Sequence, residues 1–259
     1  MMSSRPSICF FIINLDNATE RLNFVSSQLE EFDIPWKRIS AIDGSNLKPP
    51  YIDYQETKFK IFFGKETNLN VVAVFYSHLK AMRYFLESDY DIGIILEDDA
   101  CISDNFDVYI NDIIKTSDRW DLLRLSATRK SIFFNRNLLK SGNILATNLT
   151  MLKGLCCYAL NREGAKKLLD NLVPFYLPVD IAIENDWILK IKSMCLIPFP
   201  VQDAIAYKKT DLLKSQIPRG TKISYFRFTA KMHNLIQKII RIIYRIITSR
   251  NNTADESKK

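Results

Sequence analysis

The sequence predicts an α/β fold, in which helices cover a sheet that contains parallel strands, followed by a basic helical extension. The first observation is a strand, a helix and a second strand in succession near the N-terminus, because such a βαβ unit joins parallel strands. The second is a near-continuous apolar run at residues 92–96, which is typical of a strand buried on both faces. The third is the alternation of strands and helices up to about residue 205.

The N-terminal βαβ unit is defined by its apolar spacing. A strand is expected at about 8–14, where six apolar residues follow one another. A helix is expected at about 19–32, where apolar residues recur at helical spacing, and Pro35 ends it. Residues 36–40 read as the second strand, which leads into a turn at 42–44.

The later elements follow from the same patterns. We expect a loop region with short helices over 45–70 and a helix over about 71–87. The remaining predicted elements are helix 105–116, strand 121–126, strand 155–160, helix 161–172, helix 180–193 and strand 195–199. The chain is therefore divided into an α/β domain at 1–205, a basic helical extension at 206–250 and a disordered polar tail at 251–259.

The composition describes an ordinary globular protein. The chain has 259 residues, of which 47% are hydrophobic and 25% charged, so it can bury a core without a disulfide or metal. Five cysteines without a Cys-x-x-Cys pair predict small core residues in a reducing compartment, and two histidines argue against a zinc cluster. The first apolar run is short for a signal peptide, and no stretch approaches the ~20 apolar residues of a membrane span.

Three consecutive acids, Glu97, Asp98 and Asp99, directly follow the buried strand. In an open α/β sheet, ligands bind beyond the carboxyl ends of the strands. Adjacent carboxylates repel one another unless a cation compensates, and their oxygens suit Mg²⁺ or Mn²⁺, which commonly carry a substrate diphosphate. The alternative is a solvated turn in which an acid caps a helix.

Polar residues also follow the first strand. Asn14, Asp16 and Arg21 lie where the edge of a parallel sheet meets a helix N-terminus, which is a suitable place for an anion. Asp16 or Thr19 could equally be the N-cap of the helix that begins there. The two roles are compatible, so the segment is a candidate part of a ligand site.

Two further groups could contribute to chemistry. Ser77 and His78 lie on a predicted helix; a lone histidine there is more often structural, and no Gly-x-Ser-x-Gly motif surrounds the serine. Asp180 and Glu184 are four residues apart and would share a helix face, whereas Asp186 points elsewhere. A carboxylate of this group could deprotonate an acceptor hydroxyl as general base, although Asp180 could equally cap the helix.

Together and in this order, these segments resemble glycosyltransferase family 25, the lipooligosaccharide galactosyltransferase group. The resemblance covers about residues 8–205. The matching segments are 11–16 with 20–22, 39–44, 77–81, 95–100, 158–165 and 178–180. One departure is that the family commonly has Gly-Cys shortly before Ser-His, whereas this chain has Ala73 and Val74.

The resemblance implies a GT-A-like, single Rossmann-type domain that transfers a hexose with inversion, most often galactose from UDP-galactose, to a lipooligosaccharide or another surface glycan. It gives Glu97 and Asp99 the role of holding Mn²⁺ or Mg²⁺. For the general base, Asp180 is the first choice, with Glu184 or Asp186 behind it. The residues that would line or support the donor site are Asn14, Arg21, Asp43, Ser77, His78 and Asp98.

The C-terminal part of the chain is basic and amphipathic. The formal net charge is +7, and lysines and arginines concentrate within 208–250. On a helix, one polar stripe would consist of Arg227, Lys231, Asn234, Lys238, Arg241, Arg245 and Thr248. Leucine and isoleucines fill most of the remaining surface, which predicts a helix at an anionic membrane interface and a cytoplasmic protein on the inner face of the membrane. The alternative is a helix docked on the domain with its basic stripe solvated; no motif supports nucleic-acid binding.

Two other functions fit the same residue types. A metal-dependent nucleotidyltransferase or phosphohydrolase would use the same acidic site but release pyrophosphate or phosphate. A non-catalytic, basic membrane-binding protein would not use it at all. Two-carboxylate glycosidase chemistry needs no cluster of three adjacent acids beside a βαβ unit.

Overall fold

The computed structural model describes residues 5–203 and 221–256 of the chain. Its strands are β1 (Ile8–Asn14), β2 (Trp36–Ser40), β3 (Ile92–Glu97), β4 (Ala100–Ile102), β5 (Leu122–Arg124), β6 (Phe133–Leu138), β7 (Ile144–Asn148), β8 (Cys157–Asn161), β9 (Ser193–Ile197) and β10 (Val201–Asp203). Its helices are α1 (Thr19–Leu29), α2 (Glu56–Phe63), α3 (Leu69–Glu87), α4 (Phe106–Lys115), α5 (Arg162–Asn171), α6 (Val179–Ala182), α7 (Asp186–Leu189) and α8 (Arg227–Glu256).

Eight strands form one large sheet in the order β2-β1-β3-β8-β5-β9-β7-β6. Strand β1 pairs in parallel with both β2 and β3, and β5 pairs in parallel with β9. Strands β8 and β7 run antiparallel to their neighbours, so the other six point in one direction. The predicted α/β class, with a sheet of mostly parallel strands and a C-terminal helix, is confirmed. Strands β4 and β10 form a separate antiparallel pair.

The sheet is covered on both faces, which explains why its central strands are apolar throughout. Every residue of β1 is buried. Phe10 and Ile12 belong to the core on the side of α1 and α4, whereas Phe11 belongs to the core on the side of α3 and α5. All five cysteines are buried and free, as expected of small core residues.

Two segments differ from the sequence-based prediction. The hairpin of β6 and β7 was not predicted; its alternation is broken by a register shift between Phe134 and Asn137, and Asn135 has a left-handed φ of 48°. The single helix predicted at 180–193 is wrong. It consists of the short helices α6 and α7, and Lys190 ends α7 in the left-handed region with a φ of 56°.

Helix α8 begins within the predicted basic extension and continues into the segment expected to be a disordered tail; residues 204–220 lie outside the described residues. The expectation that its arginine stripe faces solvent or lipid is wrong for two members. Arg241 and Arg245 are only 2% and 1% exposed. The isoleucines of the helix are largely exposed instead. In the described segments, no helix combines the length and the apolar character needed to cross a membrane.

Candidate functional site

A cavity of about 320 Å³ opens at the carboxyl edge of the sheet, where the three adjacent parallel strands β2, β1 and β3 end. This edge is the expected ligand position in an open α/β sheet. The cavity collects most of the donor-site and metal residues that the sequence singled out. These are Arg21, Asp43, Ser77, His78, Glu97, Asp98 and Asp99.

Of the three consecutive acids, two contact Arg21 and the third contacts His78. Asp98 forms an ion pair with Arg21 and accepts a hydrogen bond from Asn14 Nδ2 at 2.7 Å. Glu97 Oε1 lies 3.2 Å from His78 Nε2. Asp99 Oδ2 lies 3.6 Å from Arg21 Nη2, so one arginine faces two carboxylates.

The cavity carries more negative charge than this arginine neutralises. Burial raises the pKa of Asp99, and the carboxylates of Glu97 and Asp203 raise it further, while Arg21 opposes the shift. Burial also raises the pKa of Asp98, again against the opposing charge of Arg21. Uncompensated carboxylates beside a cavity are a physical mark of a functional site.

The charge and the oxygen ligands fit a divalent cation held by two carboxylates. Within 5–203 and 221–256, no group of three or more His, Cys, Asp or Glu side chains is arranged to hold a metal on its own. Mg²⁺ is commonly bound through one or two carboxylates together with substrate phosphates and water. Glu97 and Asp99 supply two such carboxylates, and the negative surplus around Asp99 favours a cation there.

Asn14 supports the site by holding Asp98 in place with a hydrogen bond. Its side chain is buried, and Nδ2 donates to the carbonyl of Ala18 at 2.9 Å as well as to Asp98. Arg38 Nε in turn donates to Asn14 Oδ1 at 2.9 Å. Arg38 was not singled out from the sequence, because its position in β2 reveals nothing about this contact until β1 and β2 are paired.

Ser77 also acts in support. Its Oγ accepts a hydrogen bond from the backbone N–H of Ile42 at 2.8 Å and donates to the carbonyl of Ala73 at 2.8 Å. The serine therefore holds the loop after β2 against α3. This contact fixes one wall of the cavity.

The same loop approaches α3 too closely for any side chain at Gly44. A Cβ there would lie 2.3 Å from Asn70 Oδ1 and 2.8 Å from its backbone nitrogen. Asp43 caps the short turn that follows, accepting from the backbone N–H of Ser45 at 2.8 Å. Hydrogen bonds from Ser45 lower the pKa of Asp43, which keeps this half-buried carboxyl ionised at the rim of the cavity.

His78 is 1% exposed and bridges a buried tyrosine and the partly exposed Glu97. Its Nδ1 lies 3.0 Å from the hydroxyl of Tyr158, and its Nε2 lies against Glu97. Tyr158 was not given a role from the sequence. It comes from β8, opposite Ile95 of β3, so only the antiparallel pairing of these strands brings it to the histidine.

Asp180 lies on α6, half-buried, and accepts the backbone N–H of Gly154 at 3.2 Å. It does not line the cavity. Burial raises the pKa of Asp180, and the negative charge of Glu97 raises it further. The hydrogen bond from Gly154 and the positive charge of Arg124 oppose this shift. The interaction with Glu97 shows that Asp180 lies within electrostatic reach of the acidic cluster.

Glu184 and Asp186, the other two base candidates, lie in buried ion pairs instead. Glu184 Oε1 accepts from Arg124 Nη1 at 2.8 Å, and its Oε2 lies 3.3 Å from Arg245 Nη2. Arg245 contacts both oxygens of Asp186, at 2.6 and 2.7 Å. Because both carboxylates are fully buried and paired with arginine, neither suits a proton acceptor for an external hydroxyl.

Parallel strands that end at an acidic cavity define an α/β protein with a candidate ligand site at its strand ends. The family model for glycosyltransferase family 25 (LPS biosynthesis protein) matches residues 8–183. The match covers well over half of the chain, so the protein belongs to glycosyltransferase family 25. Membership implies a nucleotide-sugar donor and a glycan acceptor. A search of curated proteins finds no match.

The matched segment starts with β1 and ends just before Glu184. It therefore contains the cavity and Asp180, while α8 and its partners Glu184 and Asp186 lie beyond it. The resemblance seen in the sequence is confirmed as family membership.

Proposed function

We propose that this glycosyltransferase moves a hexose, galactose in the first instance, from a UDP-sugar to a hydroxyl of a lipooligosaccharide or another surface glycan, with inversion at the anomeric carbon. One observation carries the proposal: Arg21 and three carboxylates meet in a single cavity of about 320 Å³ at the carboxyl edge of β1, β2 and β3. That volume is within the range of small-ligand sites, about 300–1,000 Å³. The choice of UDP, galactose and inversion rests on the family resemblance.

The donor would occupy the cavity with its diphosphate toward the acids and its nucleoside toward the apolar wall. Leu15, Ala41 and Val74 supply apolar lining on which a flat base can lie. Arg21 faces the carboxylates and can pair with a diphosphate oxygen, since a guanidinium suits phosphate geometry. Asp43 stays ionised at the rim and can accept hydrogen bonds from ribose hydroxyls.

Mn²⁺ or Mg²⁺ would be held by Glu97 and Asp99, and when bound it supplies positive charge to the departing nucleoside diphosphate. His78 keeps Glu97 oriented through its Nε2. Asp98 is occupied by Arg21 and Asn14, so its role is to hold the arginine in place.

Asp180 is the proposed general base. Its raised pKa makes the carboxylate a stronger proton acceptor, which is useful for an acceptor hydroxyl near neutral pH. In a single displacement, Asp180 takes the hydroxyl proton while the hydroxyl oxygen bonds to the anomeric carbon. The bond from that carbon to the diphosphate oxygen breaks at the same time, and its electron pair leaves with UDP.

The acceptor places the reaction at a membrane. A glycan built on a lipid is presented at the inner face of the cytoplasmic membrane, and we propose that the chain binds there peripherally through α8. Its partners are then the nucleotide sugar, the glycolipid and the anionic lipid surface, without nucleic acid.

The proposal is tested by calorimetry of UDP binding with and without Mn²⁺. Wild type is expected to bind UDP more tightly with Mn²⁺, and Asp99→Ala is expected to lose that difference. Asp104→Ala, which removes an exposed carboxylate outside the cavity, is the matched control and should behave like wild type. Absence of UDP binding in wild type under both conditions would overturn the proposed donor site.

A wild type that binds UDP is then assayed with UDP-sugars and a lipooligosaccharide acceptor. Proton NMR of the product reports the anomeric configuration. Release of phosphate or pyrophosphate without glycoside formation would favour the nucleotidyltransferase or phosphohydrolase alternative.

A further inference from the structure

Helix α8 is attached to the domain by the arginines of its polar stripe. Arg245 pairs with Asp186 and Glu184 and also donates to the carbonyl of Asn148 at 2.6 Å. Arg241 Nε donates to the carbonyl of Glu184 at 3.0 Å, and its guanidinium lies 5.8 Å from the centre of the Trp187 ring. We call this set of contacts the arginine clasp. Both guanidinium groups are buried, so they cannot meet a lipid surface.

The clasp turns the apolar side of α8 outward. Eight large apolar side chains of the helix are between 37% and 73% exposed. They are Phe228, Met232, Leu235, Ile236, Ile239, Ile240, Ile243 and Ile247. At about 100° and 1.5 Å per residue they share an arc of about 140° over a length of about 30 Å. We call this arc the isoleucine face, and a patch of this length on a protein surface marks an interaction site.

Positive charge borders the isoleucine face. Lys231 and Lys238 are exposed on the same helix, next to its edge, and Arg227 is exposed nearby. No Asp or Glu occurs anywhere between Asp211 and Asp255 in the sequence. The partner must therefore be apolar in its middle and anionic at its border, which describes the interface of an anionic bilayer.

We propose that the isoleucine face lies in the interfacial layer of an anionic membrane, parallel to its surface, with Lys231 and Lys238 against the phosphate headgroups. The arginine clasp holds the catalytic domain on the opposite side of the helix. The sequence also predicted a helix at a membrane interface, but with the whole basic stripe available to the headgroups, whereas Arg241 and Arg245 are buried in the clasp. The inference adds the contacting surface to the proposed function but does not depend on the UDP site.

A second copy of the chain is a poorer partner for the same face. Two copies related by a twofold axis would present the same surface to each other. The lysine borders of the two helices would then meet, while the acidic residues of each helix, Asp255 and Glu256, lie at its C-terminal end, beyond the isoleucine face. Like charges placed together in an interface oppose association.

The main experiment is co-sedimentation of the full chain with phosphatidylcholine vesicles, with and without phosphatidylglycerol. The test variant is Ile239→Glu/Ile243→Glu, which places two charges in the middle of the isoleucine face. The matched control is Ile132→Glu/Leu138→Glu, because these residues are equally apolar and exposed but lie at β6. We expect wild type and the control to bind anionic vesicles, and the test variant to bind at least about tenfold more weakly. Equal binding by both variants would overturn the proposal.

The lysine border is tested separately with Lys231→Gln/Lys238→Gln. Each lysine near an anionic surface contributes about fivefold in affinity at low salt. The variant should therefore lose affinity for phosphatidylglycerol vesicles and lose much less of any binding to phosphatidylcholine alone. An unchanged affinity for anionic vesicles would contradict the assigned border.

Two further measurements separate the remaining outcomes. In sedimentation velocity, a wild-type dimer that Ile239→Glu/Ile243→Glu dissociates, with unchanged vesicle binding, would overturn the lipid proposal in favour of a second copy. UDP calorimetry on the same variants reports the catalytic domain independently. Wild type that binds vesicles but not UDP would support this inference and overturn the proposed donor site.

Discussion

The cavity and the arginine clasp are both built from carboxylates and arginines, but they balance charge differently. In the clasp, Glu184 and Asp186 meet Arg124 and Arg245, and every one of these side chains is buried and paired. In the cavity, Asp98 and Asp99 share Arg21, Glu97 contacts His78, and all three acids line open space.

The difference separates structural acids from functional ones. In the clasp, the charges of Arg245 and Arg124 overcome the effect of burial and lower the pKa of Glu184, while burial raises the pKa of Asp186 against the opposing charge of Arg245. In the cavity, burial and neighbouring acids raise the pKa of Asp99. An acid that is neutralised inside the fold has no charge left for a ligand, whereas a surplus of acids at a cavity needs a cation or a proton to balance it.

Asp180 lies between the two regions, within reach of the charges of both Arg124 and Glu97. If Asp180 acts as the general base for a donor bound in the cavity, Asp180→Asn should lower kcat by about 100- to 10,000-fold, because that base is lost. The amide oxygen can still accept the Gly154 N–H, so the free energy of unfolding and the KM for the donor should change little. Steady-state kinetics checks this, with exposed Asp170→Asn as the control. A kcat close to wild type would place Asp180 among the structural acids.

Breaking the clasp should affect folding stability first. Arg245→Met leaves Asp186 and part of Glu184 as buried, unpaired charges, so we expect a loss of about 3–5 kcal/mol in the free energy of unfolding. Lys238→Met removes an exposed charge from the same helix and should change it by less than about 0.5 kcal/mol. Urea denaturation measures both. Adding Asp186→Asn to Arg245→Met should recover part of the loss, and equal stability of the two single variants would show that the clasp is weak.

The smallest of these effects is expected at His78, which connects Tyr158 to Glu97 on the cavity side. His78→Leu removes the hydrogen bond that orients a proposed metal ligand, a change that typically costs about 10- to 100-fold in metal affinity. The measurement is the Mn²⁺ concentration that gives half-maximal UDP binding. Tyr158→Phe keeps the histidine in place and should have a weaker effect. If His78→Leu leaves this Mn²⁺ concentration unchanged, the histidine does not support the proposed metal site.

The central fold and the cavity could be predicted because their signals are local. The apolar runs of β1 and β3 are continuous, and the residues that follow them must meet at one sheet edge once the strands are parallel. The sequence therefore placed Arg21 and the acidic triplet at the same edge of the sheet, and the pairing of β1 with β3 makes them neighbours. The bulged hairpin of β6 and β7 lacks such a signal, because its alternation is interrupted and Asn135 adopts a positive φ.

The orientation of α8 could not be predicted in the same way. A helical pattern shows which residues share a face, but not which face meets the domain. The deciding partners are Glu184 and Asp186. Glu184 was a candidate base because its spacing from Asp180 placed both on one face of a single predicted helix, and Asp186 was a further choice. Only the break between α6 and α7 and the distant contact with Arg245 show that they bind the C-terminal helix.

The clasp also sets an order of events during synthesis of the chain. Arg245 pairs with Asp186 and Glu184, which precede it by 59 and 61 residues. The sheet and α7 leave the ribosome before the arginine has been made, and folding during synthesis begins at the N-terminus. Until α8 arrives, Asp186 and the Glu184 oxygen that faces Arg245 have to keep water around them, because burying a charge unpaired is unfavourable. The last long helix of the chain thus completes the interior of a domain whose strands were made long before it.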